Sequence, residues 1–310
     1  MSAAVRPEPG VATEVEAREG LRPSLWRRFL SHPLAPPGLV IVGLMVAAAV
    51  FAPALMTHPY WEMYPITGLS ATDAPLPPQW SLHGFFLGTD QLGRDEFSRL
   101  IWAARVSLQV GVLGSAISAA IGITLGVAAG YFGGWVDSLI MRVTDVMFAF
   151  PALFFLILVA SVLSPSVPVI YLTIGLLGWP TNARFTRGQV LSLREQPFVE
   201  VARSLGARPS RIIWRHLVPN AIAPIVVVAG MSIPVNIIYE STLSFLGIGV
   251  PTPIPSWGKM IAEGLSYLNI APWLVIFPTI AICLATVGFN LLLEALNATL
   301  NTRGAVVRRG

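Results

Sequence analysis

Lysine is almost absent from this chain of 310 residues: Lys259 stands alone against nineteen arginines. A nucleotide-binding Walker A loop needs Gly-x4-Gly-Lys followed by Ser or Thr. Lys259 follows Gly258 but precedes Met260, and Pro253 occupies the place of the first glycine, so the chain itself hydrolyses no ATP by that route. Cysteine is equally scarce. The single Cys283 excludes an internal disulfide or a Cys-rich metal site, and within its apolar run it reads as a small core residue. His32, His58, His83 and His216 are far apart, and neither His-Glu-x-x-His nor Gly-x-Ser-Gly occurs, which leaves a membrane-embedded hydrolase nothing to work with. Charge is short too, at 12% of residues. Soluble domains carry about 25%. A net charge of +4, scattered along the chain, excludes a nucleic-acid binder, and 54% hydrophobic residues exclude a disordered one. What is present is apolar sequence, with a mean hydropathy of +0.69. This is the composition of a membrane protein.

Uncharged windows run over 29–61, 106–136, 146–183, 217–239 and 264–293. A helix crosses the hydrocarbon core with about 20 apolar residues. The third window is too long for one helix and divides at Ser164-Pro165-Ser166-Val167-Pro168. The uncharged stretch 241–258 is disqualified by Pro251, Pro253 and Pro255. Six spans are expected, at roughly 38–56, 104–130, 136–161, 168–188, 219–243 and 271–296. Runs this long exclude the alternating pattern of a membrane β-barrel. Ala52-Pro53-Ala54 is compatible with a cleavage site, but the long preceding segment with Glu8, Glu14, Glu16 and Glu19 is unlike a short basic signal region, so the first span is retained.

Sixteen arginines fall in the termini and in one set of alternate loops; the other side holds Arg94, Arg99, Arg105 and Lys259. The positive-inside rule therefore places both termini in the cytoplasm. The division is a cytoplasmic tail at 1–37, whose residues 1–22 read as a mobile acidic-basic arm, a transmembrane domain at 38–300 and a cytoplasmic tail at 301–310. Within the domain lie an outer segment at 57–103 and a cytoplasmic loop at 189–218. The outer segment is rich in Pro and aromatics, as a surface cap or a ligand-contacting region would be. Ionisable residues near the spans are few. Asp145 is expected to pair with Arg142 one helical turn away, Arg184 to snorkel, and Glu240 and Glu294 to sit at span ends. A proton relay would need several such groups deep in the bilayer.

The most patterned segment is Arg194–Val218. Phe198, Val201, Ala202 and Leu205 recur at i, i+3, i+4 and i+7, the apolar stripe of a short helix. Pro197 suits its first turn, Glu200 places negative charge near its positive end, and Gly206 ends it. A second short helix starts near Pro209, with Ile212, Ile213, His216 and Leu217 on one side, and Pro219 opens the next span. Two short amphipathic helices around a glycine fit either a hairpin lying on the inner leaflet or a protein-docking site. The small residues Ala202, Ser204, Gly206 and Ala207 favour close approach of another backbone. Elsewhere Gly122, Gly126 and Gly130, spaced four apart, mark a face for close helix packing, within the chain or against a partner. Pro224 and Pro234 are expected to interrupt the fifth span beside a cavity.

Glu200-Val201-Ala202-x3-Gly206-x9-His216-Leu217-Val218-Pro219 resembles the Glu-Ala-Ala signature of ATP-binding cassette (ABC) importer permeases. Val201, His216 and Val218 depart from that pattern; Glu200, Ala202, Gly206 and Pro219 match it. Leu87-Gly88-Thr89-Asp90-Gln91-Leu92-Gly93-Arg94-Asp95, Gly130-Tyr131-Phe132-Gly133-Gly134, Ala149-Phe150-Pro151, Glu240-Ser241-Thr242-Leu243-Ser244-Phe245-Leu246-Gly247 and Pro255-Ser256-Trp257-Gly258 are similar to the C-type permease of dipeptide/oligopeptide importers. The resemblance covers about 30–303. Leu300-Asn301-Thr302-Arg303 stands where that family often ends in Asp-Pro-Arg.

The resemblance implies an all-α, polytopic type I ABC importer permease in a bacterial or archaeal cytoplasmic membrane. It implies a coupling helix that docks on a cytoplasmic ATPase through Glu200, Val201, Ala202, Leu205, Gly206, Ile212, Ile213, His216, Leu217 and Pro219. The implied partners are a second, B-type permease, two ATPase subunits, an extracytoplasmic substrate-binding protein and membrane lipid. No cofactor is expected in this chain, since ATP and Mg would bind the ATPases. Di- or oligopeptide is the implied cargo, and nickel or glutathione the alternative. A transporter driven by an ion gradient is the reading from another class, and the few deep charges argue against it.

Overall fold

A computed structural model describes residues 25–81, 84–164 and 166–307, with side chains as far as Leu300. The expected arm at 1–22, His83, Pro165 and the last three residues lie outside the described residues. Regular structure among the described residues is helical apart from two isolated bridges, Leu69 with Pro75 and Thr89 with Asp95. The helices are α1 (Leu25–Leu30), α2 (Ala35–Val50), α3 (Ala52–Leu55), α4 (Glu96–Phe132), α5 (Gly134–Ala149), α6 (Ala152–Val162), α7 (Val167–Arg194), α8 (Pro197–Ser204), α9 (Pro209–Ile212), α10 (Val218–Phe245), α11 (Trp257–Gly264) and α12 (Trp273–Val307).

Local chemistry sets the ends. Asp95 caps α4, accepting from the Ser98 amide at 2.9 Å, and Ser166 caps α7 through the Val169 amide. The 37 residues of α4 span about 55 Å, well beyond the hydrocarbon core. Helix α4, the continuous segment Pro209–Phe245 and α12 are long and apolar enough to cross a membrane. Helices α5 and α6 make a fourth span only as a broken pair bent by 89°. The expected count of six spans is therefore not established: α2 has only 16 residues, and α7 carries Arg184 and Arg187 in its second half.

The third expected span, 136–161, breaks because Pro151 has no amide hydrogen and drives Phe150 into extended backbone, with ψ 128°. The fifth does not break. Helix α10 runs through Pro224 and Pro234, so the expected interruption is replaced by two missing hydrogen bonds inside one helix.

Besides a small cluster of Phe29, Ala35 and Ala295, three apolar clusters hold the bundle. One joins α2, α4, α10, α11 and α12 around Trp257, Met260, Phe289 and Leu293. A second joins α4, α6, α7 and α10 around Val110, Leu156, Ile174 and Leu243. The third lies under the Arg194–Val218 loop. Gly122, Gly126 and Gly130 face α7 of the same chain. A Cβ at Gly126 would lie 2.6 Å from the Ala183 carbonyl oxygen, and one at Gly130 would lie 2.8 Å from Val190 Cβ. Such contacts let the two backbones touch, which gives packing contacts where apolar burial gives no drive.

The charges are arranged differently from expectation. Asp145 pairs with Arg184 across two helices at 2.6 Å, not with Arg142, and Arg184 lies over the Phe148 ring. The packing of α7 against α5 brings Arg184 onto Asp145. Glu240 is not at a solvated end. It is fully buried, accepting from Ser107 Oγ at 2.8 Å and Ser244 Oγ at 2.7 Å, and so ties α4 to α10. Glu294 is exposed. Cys283 is exposed as well, on α12, not in the core.

The outer segment folds on itself. His58 stacks on Phe85, Tyr60 stacks on Trp102, and Asp90, Arg94, Arg99 and Glu263 form a network of ion pairs at 2.6–3.0 Å that clamps α11 to the start of α4. Burial, then the neighbouring Glu62, pushes the Tyr64 phenol up to about 12. Burial lowers Lys259 below the usual lysine range despite nearby Glu263; its ammonium donates to the Val250 carbonyl at 3.3 Å.

Candidate functional site

The loop between α7 and α10 is two short helices set on a small core. Pro197 opens α8, and Glu200 lies in its first turn. The helix closes with a double backbone bond, Gly206 N–H to the Arg203 carbonyl at 3.0 Å and Ala207 N–H to the Ala202 carbonyl at 3.1 Å. This closure needs a left-handed residue, and Gly206 supplies it at φ +76°. Helix α9 starts at Pro209, as its sequence predicts, and passes through a π-turn at Ile213–Leu217 into α10, with Pro219 in that helix's first turn.

The predicted stripe is not what holds the loop down. Phe198, Val201 and Leu205 are 41%, 57% and 82% exposed, and Ala202 is half-buried. The anchor is Val199, one position off the stripe and fully buried with Ile212, Ile213 and Leu217 against Val127 of α4 and Val190 of α7. Nothing in the i, i+3, i+4 pattern marks Val199. The clue is the second apolar position that it forms beside Phe198. His216 is half-buried with its ring 6.5 Å from Phe198. Glu200 is exposed, and its carboxylate makes no hydrogen bond or ion pair with the described residues.

Phe198, Val201, Leu205, Arg208, Arg211 and His216 line a groove of about 760 Å³. Outward-facing apolar side chains thus stand beside arginines on a buried footing. The footing is tied to the spans by charge as well. Arg187 grips Asp137 with two bonds of 2.5 and 2.6 Å, and Arg194 donates to the carbonyls of Gly130 and Tyr131, both at 3.2 Å, at the end of α4. These bonds join α7 to α5 and to the end of α4 beneath the loop. Sequence spacing gave no sign of these pairings, whose members lie 50 to 64 residues apart.

The site brings together Glu200, Val201, Ala202, Leu205, Gly206, Ile212, Ile213, His216 and Leu217, while Gly122, Gly126 and Gly130 lie along the α4–α7 contact that leads to it. No group of three or more His, Cys, Asp or Glu that could hold a metal exists among the described residues.

Comparison with known proteins adds the following. The family described as binding-protein-dependent transport system inner membrane component matches residues 122–304, and that described as N-terminal TM domain of oligopeptide transport permease C matches 24–78. The dipeptide transport system permease protein DppC of Alkalihalophilus pseudofirmus is 36% identical over 299 residues, covering 96% of this chain and 95% of the relative. The oligopeptide transport system permease protein OppC of Bacillus subtilis is 36% identical over 302 residues, with 96% of each chain covered. The glutathione transport system permease protein GsiD of Pectobacterium atrosepticum is 37% identical over 278 residues, with 90% of each covered. A solved chain of the MetNI methionine ABC transporter overlays 64% of this chain and 97% of its own length at 16% identity, with a TM-score of 0.48.

Proposed function

Because this chain belongs to the family of binding-protein-dependent transport system inner membrane components, we propose that it is one of two dissimilar transmembrane subunits of an ATP-driven importer of di- and oligopeptides. The Arg194–Val218 loop is its contact with separate ATPase subunits, which bind ATP and Mg. A B-type permease completes the pathway, and an extracytoplasmic binding protein delivers cargo. The arginine distribution supports placing the loop and both termini on the cytoplasmic side of a bacterial or archaeal inner membrane.

One observation carries the coupling role: an apolar stripe, Phe198, Val201 and Leu205, stands exposed on a helix whose adjoining flank is fixed to α4 and α7 by Val199. An amphipathic helix that only packed on its own protein would turn the stripe inward. ATP drives transport only through binding that differs between two conformations, so the loop must stay gripped in both. Closure of the ATPases would draw the docked loops together, and the Arg187–Asp137 and Arg194 links would carry the displacement into the spans.

The test is uptake of labelled peptides by cells carrying Glu200→Lys or Gly206→Asp. Both residues are exposed and neither contributes to the buried core. Lysine at 200 puts positive charge at the positive end of α8, and aspartate at 206 must adopt φ +76°. Both variants are expected in the membrane at normal abundance but without uptake. Normal transport by both removes the coupling assignment.

A further inference from the structure

Four basic side chains, Arg94, Arg99, Arg105 and Lys259, stand toward the end of the bundle away from the Arg194–Val218 loop, and one of them lacks an anion. Arg94 and Arg99 pair with Asp90 and Glu263, and the Lys259 ammonium donates to the Val250 carbonyl with Glu263 near. Arg105 is exposed and makes no hydrogen bond or ion pair with the described residues. Its guanidinium lies over the Trp102 ring, 5.4 Å from the centroid, and Trp102 stacks on Tyr60. A cavity of about 360 Å³ opens beside this stack. Arg105, Gln109, Tyr60 and Tyr171 line it, and neither Asp nor Glu does. The side chains of Gln109 and Tyr171 make no hydrogen bond with the described residues. A guanidinium, a carboxamide and two phenols therefore offer donors around one small space.

Position along α4 fixes the depth. Arg194 holds the carbonyls of Gly130 and Tyr131 near the far end of that helix. The 25 residues from Arg105 to Gly130 span about 37 Å. This exceeds the hydrocarbon core, about 30 Å, and falls within a bilayer counted with its headgroups, about 40–45 Å. Residues 106–136 carry no charge, so Arg105 marks the boundary. Tyr and Trp gather at the same level in membrane proteins. Beyond Arg105 the same face of α4 continues through Gln109, Val112, Leu113, Ala116 and Ala120, all exposed. A lone cation thus stands at the head of an open apolar track.

From this arrangement we propose that the cavity holds the headgroup of an anionic glycerophospholipid, with its phosphodiester on Arg105 and its acyl chains along the α4 track. The guanidinium supplies paired donors that match phosphate oxygens, and Gln109 and the two phenols can donate to the remaining oxygens or accept from a glycerol hydroxyl. Zwitterionic lipids fit less well. The Trp102 face on which an ammonium would rest is already taken by Arg105. The apolar track distinguishes a lipid from a carboxylate on another protein, which would need no such path beneath the cation. Binding here requires only that these helices cross a membrane, whatever the cargo and the coupling loop do.

The test uses the complete complex with its ATPases and binding protein, in nanodiscs of equal parts phosphatidylglycerol and phosphatidylcholine. A photoreactive benzoylphenylalanine in place of Val112 reports which tritiated lipid lies on the track, and the ratio of the two lipids cancels contact with bulk bilayer. Phosphatidylglycerol is expected to be preferred about tenfold, the lower end for hydrogen bonds to a charged group. Arg105→Lys should keep part of the preference and Arg105→Gln should bring the ratio to about one, while both complexes still hydrolyse ATP. The preference should survive millimolar glycerol 3-phosphate; its loss would mean that the cavity takes a free phosphate and would overturn the lipid assignment. A ratio near one in the native complex overturns the proposal whatever the variants do, and so does a preference undiminished in Arg105→Gln. Cross-linking to the partner permease or the binding protein in place of lipid assigns the cavity to a protein contact and overturns it as well.

Discussion

Leu205 separates docking from folding. Its side chain is 82% exposed, so its removal costs the isolated chain little, within about 0.5 kcal/mol as for ordinary surface positions. Burying a leucine in a partner's groove contributes about 1.5–3 kcal/mol. With four-fifths of that surface still available, Leu205→Ala should weaken the grip on the ATPase by about 1–2 kcal/mol, or roughly 5- to 30-fold in Kd. Leu205→Asp adds a carboxylate that must lose water, about 1–3 kcal/mol more, for a total near or beyond 100-fold. Val199→Ala is the mirror image. That side chain is fully buried, and its truncation should cost about 1–2 kcal/mol of loop stability. Two readouts on chains in nanodiscs suffice: affinity for the ATPase subunit and thermal stability. The account requires Leu205 variants to lose affinity at unchanged Tm and Val199→Ala to lose Tm. Leu205→Asp binding as tightly as the native chain would refute it, as would a fall in its Tm that explains the whole loss of affinity.

Other positions give further tests. Gly126→Leu should destabilise the α4–α7 contact by at least about 1–3 kcal/mol, read as lower resistance to denaturing detergent, because even its Cβ would press on the Ala183 carbonyl; unchanged resistance contradicts the packing described. Glu240→Ala leaves Ser107 and Ser244 without their acceptor and should cost about 2–4 kcal/mol by the same assay, whereas a variant as stable as the native chain would mean that the buried carboxyl holds nothing. Arg187→Ala should uncouple: ATP hydrolysis by the complex continues while uptake falls, and tightly coupled transport would exclude the Asp137 link as a force path. Lys259 is depressed in the folded state, so the unfolded chain binds more protons between its folded and ordinary values; stability should rise with pH across that window, and Lys259→Met should flatten the rise in thermal scans.

What the sequence discloses follows the range of the interaction. Helix starts at Pro197 and Pro209 and the stop at Gly206 are decided by a residue and its immediate neighbours, and all three stand where expected. Three of the uncharged windows, 106–136, 217–239 and 264–293, fall on helices long and apolar enough to cross a membrane, since composition alone decides partition into lipid. Pro151 was visible but lay within an unbroken apolar run, and only packing of the two halves decides between a kink and the 89° bend. Pro224 and Pro234 carry the same local penalty, yet the helix survives because its neighbours hold it. Pairings over long separations left no trace in spacing: Glu240 with Ser107, Arg184 with Asp145 and Arg187 with Asp137 depend on which helices meet. Within the loop the stripe was legible and its direction was not. A helix of eight residues can present either Phe198 or Val199 to the protein, and the valine cluster of α4 and α7 selects Val199.

Nucleotide bound on another subunit should move the exposed stripe. Spin labels at Val201 of this chain, in a Cys283→Ser background, and at the matching loop of the partner permease allow the distance between the two loops to be measured by pulsed electron resonance in the assembled complex. The account predicts a shorter distance when the ATPases are trapped with ATP than when they are empty, and no shortening with Gly206→Asp. One unchanged distance distribution, in a complex that hydrolyses ATP and imports peptide, would contradict it.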